Sequence, residues 1–215
     1  MASGRLGASI SSGTTATNVY TVPAGKTAEV NVRVYNGAAL SAISKVSLFR
    51  SPTGTPSATH TIQFDTLAAN SGYERTALVL KAGEVISYKT DQNGVSVVVS
   101  GVEYTSNSNE INEQHLITTN TETVIYANGS SKAGTVNISV SMADGSALSD
   151  TATCTLYVSA TNAAGGYPIH KYTISGNGIS GYSQTGLPIA TTDKIILVTT
   201  GIVGQVATTV SGYSK

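Results

Sequence analysis

The stretch Val19-Tyr20-Thr21-Val22-Pro23-Ala24-Gly25-Lys26-Thr27-Ala28-Glu29-Val30-Asn31-Val32-Arg33-Val34 returns later in the chain as Ile125-Tyr126-Ala127-Asn128-Gly129-Ser130-Ser131-Lys132-Ala133-Gly134-Thr135-Val136-Asn137-Ile138-Ser139-Val140. Val30, Val32 and Val34 alternate with Glu29, Asn31, Arg33 and Tyr35, and Val136, Ile138, Val140 and Met142 repeat the pattern. A period of two puts successive side chains on opposite faces, so each run reads as a strand with one core face and one wet face. Further matches follow in order: Lys45-Val46-Ser47-Leu48-Phe49 with Thr153-Cys154-Thr155-Leu156-Tyr157, His60 to Phe64 with His170 to Ile174, Val85-Ile86 with Ile195-Ile196, and Val99-Ser100-Gly101 with Val210-Ser211-Gly212. Preserved order implies two copies of one domain.

A chain of 215 residues then divides into units of roughly 105 residues, each large enough for its own core. Residues 1–104 form the first, the polar joiner 105–110 links them, and 111–215 form the second. Two beads on a short tether are expected. The composition lacks Trp, has two Phe and two Met, and is only 11% charged. A chain this rich in Thr, Ser and Val favours strands, because β-branched side chains are stiff and pack well on a pleated surface.

Turn chemistry separates the runs. Pro23-Ala24-Gly25-Lys26, Asn36-Gly37, Lys81-Ala82-Gly83-Glu84, Asn93-Gly94, Asp144-Gly145 and Asn177-Gly178 are tight-turn sequences. Seven or eight short strands per copy, spaced by such turns, predict an all-β protein of two tandem antiparallel β-sandwich domains, jelly-roll or Ig-like. The best helical stretch, around 64–74, predicts at most one short turn. Ser3-Gly4-Arg5-Leu6-Gly7-Ala8 has no visible counterpart before the second copy and reads as a surplus arm or a frayed terminus.

Charge and motifs narrow the chemistry. The first copy carries 8 basic and 6 acidic residues, the second 4 and 6, and neither clusters Lys or Arg as phosphate binding requires. Nucleic acid is therefore not an expected partner. With no long apolar run and no charged-then-apolar leader, neither a membrane partner nor export is expected, and the chain is expected to be made in a cytoplasm. Cys154 lies in a strand pattern and reads as a small buried hydrophobe. His60 and His170 read as strand residues without metal or acid–base partners, and no phosphate loop, Gly-x-Ser-x-Gly elbow or metal motif occurs. No catalytic, cofactor-binding or metal residue is expected. Of the 11 tyrosines, those recurring at equivalent places read as core caps with a wet hydroxyl. Exposed ones keep a glycan partner open.

Ser3-Gly4-Arg5-Leu6-Gly7-Ala8, the Val19–Val32 stretch and Gly72-Tyr73-Glu74-Arg75-Thr76-Ala77-Leu78-Val79-Leu80-Lys81-Ala82-Gly83-Glu84 together resemble small virion structural proteins of tailed bacteriophages, particularly cyanophages and marine phages. The resemblance covers most of 3–104 and reaches 111–215 only through the repeat, where Gly129-Ser130-Ser131 stands for Pro23-Ala24-Gly25 and Gln184-Thr185-Gly186 for Glu74-Arg75-Thr76. It implies a non-enzymatic virion component, a capsid decoration or cement subunit contacting major capsid or tail proteins and further copies of itself. The alternative it leaves is a tail, neck or fibre part that binds a receptor or carbohydrate. Arg5, Arg33, Arg50 and Arg75 lie in the family-like copy, and arginine is enriched at interface cores, so these four are the expected attachment residues.

Overall fold

The computed structural model describes residues 2–37, 43–106, 109–129, 132–177 and 181–214. Its first half contains strands β1 (Ser3–Ile10), β2 (Thr17–Thr21), β3 (Lys26–Asn36), β4 (Ser44–Ser51), β5 (Thr61–Leu67), β6 (Gly72–Leu80), β7 (Val85–Thr90) and β8 (Val95–Thr105). The second contains β9 (Glu110–Ile117), β10 (Glu122–Ala127), β11 (Gly134–Met142), β12 (Thr151–Ser159), β13 (Tyr167–Ser175), β14 (Tyr182–Ile189), β15 (Lys194–Thr200) and β16 (Val206–Ser214). The sheets run β1-β8-β3-β6 and β2-β7-β4-β5 in the first half, and β9-β16-β11-β14 and β10-β15-β12-β13 in the second. Adding eight to each label of the first copy generates the second. Two four-stranded antiparallel sheets in this order make each half a jelly roll.

The predicted core rows face inward. Val30, Val32 and Val34 sit in one core with Leu48, Ile86 and Val97; Val136, Ile138 and Val140 sit in the other with Cys154, Leu156 and Val210. Local devices repeat as well. A Cβ on Gly101 would collide with the Glu29 carbonyl, and one on Gly212 with the Thr135 carbonyl, which explains the repeated Ser-Gly. Each middle strand also faces a bulge, between Val30 and Val32 and between Val136 and Ile138. There the Asn31 Oδ1 accepts from the Ala77 amide at 2.9 Å and the Asn137 Oδ1 from the Gly186 amide at 2.8 Å. Both donors have left-handed backbones, Ala77 with φ 55° and Gly186 with φ 68°.

Several expectations need correction. The segment Ser3–Ala8 is no loose arm: it is edge strand β1, paired with β8, and β9 is its counterpart. Residues 64–74 hold no helix; β5 ends at Leu67, a turn with Asn70 at φ 58° follows, and the only helical pieces among the described residues are 3₁₀ turns at Ala58–His60 and Ala163–Gly165. The histidines are not equivalent, because Leu48 pairs with Gln63 while its counterpart Leu156 pairs with His170. His170 thus corresponds to Gln63, and His60, which bonds its own Ser57 through Nδ1, corresponds to Tyr167. Likewise Ile195 answers Ile86, since each pairs with the repeated tyrosine, Tyr126 and Tyr20. Gly178 of the expected Asn177-Gly178 turn, and 107–108 of the joiner, lie outside the described residues.

The two jelly rolls are not beads on a tether. Strands β5 and β6 and the first 3₁₀ turn of the first copy lie on the outward face of β14-β11-β16-β9. Their contact is described next.

Candidate interaction surfaces

The seam between the copies is built from small hydroxyl and amide side chains. On β11 the outward residues are Asn137, Ser139 and Ser141, and on β16 they are Thr209 and Ser211. Their shortness lets the backbone of another strand approach. The Ser141 Oγ accepts from the Phe64 amide at 2.8 Å, the Ser139 Oγ donates to the Ile62 carbonyl at 2.7 Å, and the Asn137 Nδ2 donates to the Ala77 carbonyl at 2.6 Å. The two serine bonds occupy the outer rim of β5, an edge strand that would otherwise offer unpaired backbone groups, and the asparagine bond reaches β6. At one margin the Lys89 ammonium lies 3.1 Å from the Asp144 carboxylate, whose other oxygen accepts from Ser47 at 2.7 Å.

Two of the four expected attachment residues are inside this seam. Arg50 is 1% exposed, with its Nε 3.6 Å from the Glu84 carboxylate and its Nη2 3.4 Å from the Glu113 carbonyl, while the Gln114 amide donates to the Arg50 carbonyl at 2.9 Å. Burial pushes its guanidinium below the ordinary range, against Glu84 and then Glu113. Arg75 is 9% exposed and donates to the Gln63 Oε1; the Gln63 Nε2 in turn donates to the Asp65 carboxylate at 3.1 Å. Desolvation pushes Asp65 up to about 6, although Gln63, the Thr66 amide and Arg75 all favour its charged form. Arg50 therefore joins the two repeats directly, through the Glu113 carbonyl and the Gln114 side chain, while Arg75 braces β5 through Gln63 of its own repeat, and both are buried. Hydroxyl side chains at the outward positions of an alternating strand carry the same pattern whether they face water or a neighbouring domain, whereas Arg50 and Arg75 pair with the core residues Ile86 and Val32.

Arg5 and Arg33 are exposed, on the outward face of β1-β8-β3-β6. Register sets Arg5 beside Ser100 and Asn31, and Arg33 beside Val98 and Glu74. Ile10, Val98 and Tyr35 also stand exposed on this face. It is the counterpart of the sheet face that carries the seam in the second copy.

The second copy has an aromatic edge where the first has its buried polar cluster. By register, His170, Tyr172, Tyr182 and Gln184 occupy the positions of Gln63, Asp65, Tyr73 and Arg75. Tyr182 stacks on both His170 and Tyr172 at 4.5 Å between ring centroids, and His170 and Tyr172 lie 5.5 Å from each other, so the three rings form a triangle. Sequence reasoning missed both the cluster and the stack, since each assembles from two edge strands. A separate groove of about 320 Å³ between the copies is lined by Thr27, Glu29, Tyr104 and Tyr213. Among the described residues no three His, Cys, Asp or Glu converge as a metal site, and no helix is long and apolar enough to cross a membrane.

No family model and no curated protein matches the chain. Among solved structures it is similar to the PBSX exported protein XepA, at TM-score 0.32 and 10% identity over 98% of this chain and 86% of that one. It is similar also to the STIV MCP, at TM-score 0.32 and 7% identity over 100% and 94% of the two chains. A third likeness is to a structure described as the triple jelly roll fold and turret assembly in an archaeal virus, at TM-score 0.27 and 13% identity over 98% of this chain and 56% of that one.

Proposed function

We propose that this chain is a non-enzymatic structural subunit of a virion, acting by adhesion as a decoration or cement protein on the capsid surface. The observation that carries the reading is the exposed outward face of β1-β8-β3-β6. It sets Arg5 and Arg33 among Ile10, Val98 and Tyr35 on a fold already locked to its own second copy. Arginine with exposed aromatic and aliphatic neighbours is the composition of an interface core. The sequence resemblance of 3–104 to phage virion proteins agrees with it, and jelly rolls recur in capsid proteins, although fold alone does not assign function.

The test is co-sedimentation of the full-length chain with virus particles stripped of it. Saturable binding is expected, and Arg5→Glu with Arg33→Glu should abolish it; unimpaired binding by that variant would remove the face from the proposal. The groove between Tyr104 and Tyr213 favours a second reading, a tail or fibre module that binds carbohydrate. A glycan array probed with the full chain separates the two.

A further inference from the structure

The duplication assigns a counterpart to every residue of the seam, and only one of the two equivalent contacts is made within the chain. Ile62 on β5 is 1% exposed within the first core, and Phe64 beside it is 4% exposed against the second; their counterparts on β13, Ile169 at 37%, skipped by the same bulge, and Lys171, are both exposed. On the receiving side Thr209 is 1% exposed, whereas its counterpart Val98 is 36% exposed. One edge and one face are thus used, and an equivalent edge and face are bare. Both bare surfaces expose apolar side chains beside cationic ones: Tyr167, at 79% exposure, and Ile169 stand near Lys171 on the edge, and Ile10, Val98 and Tyr35 stand with Arg5 and Arg33 on the face. An exposed edge strand with such residues is a template for pairing unless something covers it.

We propose that chains join head to tail, with the β13 edge of one chain seated on the β1-β8-β3-β6 face of a second copy, as β5 is seated on β14-β11-β16-β9 within each chain. The inference rests on reading that face as an attachment face and names its occupant. Transferring the internal contact by register sets Arg33, the counterpart of Ser139, opposite the Ile169 carbonyl, where Ser139 meets Ile62 in the seam. It also brings the Arg33 guanidinium toward His170, one ring of the aromatic cluster, an arrangement that favours cation–π contact. Ser139 and Ser141 of the seam are replaced by the larger Arg33 and Tyr35, so the contact between chains is wider and more reversible than the one within a chain. Because edge and face are different surfaces the contact is heterologous, and it propagates into a ring if the rotation closes or a filament if it does not.

Sedimentation velocity of the full-length chain from micromolar to millimolar concentration tests this. Mass should grow with concentration past the dimer. Ile169→Asp should block the edge and Val98→Asp the face, leaving each variant monomeric; mixing them should give one-to-one dimers and nothing larger, since each supplies the surface the other lacks. Tyr167→Ser replaces Ile169→Asp if melting curves show that the latter is misfolded. A wild type that stays monomeric, variants that still assemble, or a mixture that stays monomeric each overturns the proposal. Particle binding by a strictly monomeric wild type would sink this inference while keeping the virion role. Self-assembly without particle binding would support it while sinking that role.

Discussion

Arg50 gives the sharpest test of the seam. Its guanidinium is almost wholly buried, pairs with Glu84 at 3.6 Å, and leaves Nε and Nη1 without a hydrogen-bond partner. Removing one member of a buried ion pair costs about 3–5 kcal/mol, because the other charge stays buried without its counter-ion. Glu84 keeps hydrogen bonds from the Lys81 amide and the Asn112 side chain, so Arg50→Ala should fall at the lower end, at roughly 3 kcal/mol. For a chain of this size that corresponds to a drop of about 6–12 °C in melting temperature. Arg50→Met/Glu84→Gln retains the aliphatic stem and removes both charges, and should be neutral within about 1 kcal/mol, since a pair with unmet donors gains little over its desolvation cost. Differential scanning calorimetry on the three proteins decides. Arg50→Ala melting within about 1 °C of wild type, or a double variant as damaged as Arg50→Ala, would refute the argument.

Other expected outcomes rest on single features. Ala77→Gly should raise stability by roughly 0.5 kcal/mol, as relief of left-handed strain exceeds glycine's extra entropy, while Gly186→Ala at the equivalent position should lower it by about 1 kcal/mol; chemical denaturation reads both signs. Asp65, with its folded value raised to about 6, binds more protons folded than unfolded. Stability should therefore decline as pH rises from about 4 to about 6, by up to about 3 kcal/mol, and Asp65→Asn should remove that component from melting curves across the window. Burial pushes the Cys154 thiol up to about 12, so iodoacetamide at neutral pH should leave the native protein unlabelled and modify it only on unfolding.

How much was legible in the sequence can be read from particular residues. Val30, Val32 and Val34 declared both a strand and its buried side, because a period of two leaves one arrangement that hides every valine. Their repetition as Val136, Ile138 and Val140 declared the duplication, and Gly101 with Gly212 marked a place where no side chain fits. These signals are local: a few consecutive residues carry them, and burial in the domain's own core enforces them. Tertiary structure decided the rest. Strand β1 is glycine-bearing and exposed on most of its length, so only its end, 8–10, reads as a strand in the sequence; the rest forms because β8 offers a free rim. Matching His60 to His170 by residue type shifted the alignment by three positions, and only pairing with Leu48 and Leu156 sets the register. The seam was least legible of all. Ser139, Ser141 and Thr209 sit at wet-face positions of their strands, where a hydroxyl has the same sequence signature whether it bonds to water or to another repeat's backbone, while Arg50 falls in phase with Val46 and Leu48, paired with Ile86. Only the approach of the two jelly rolls distinguishes these cases.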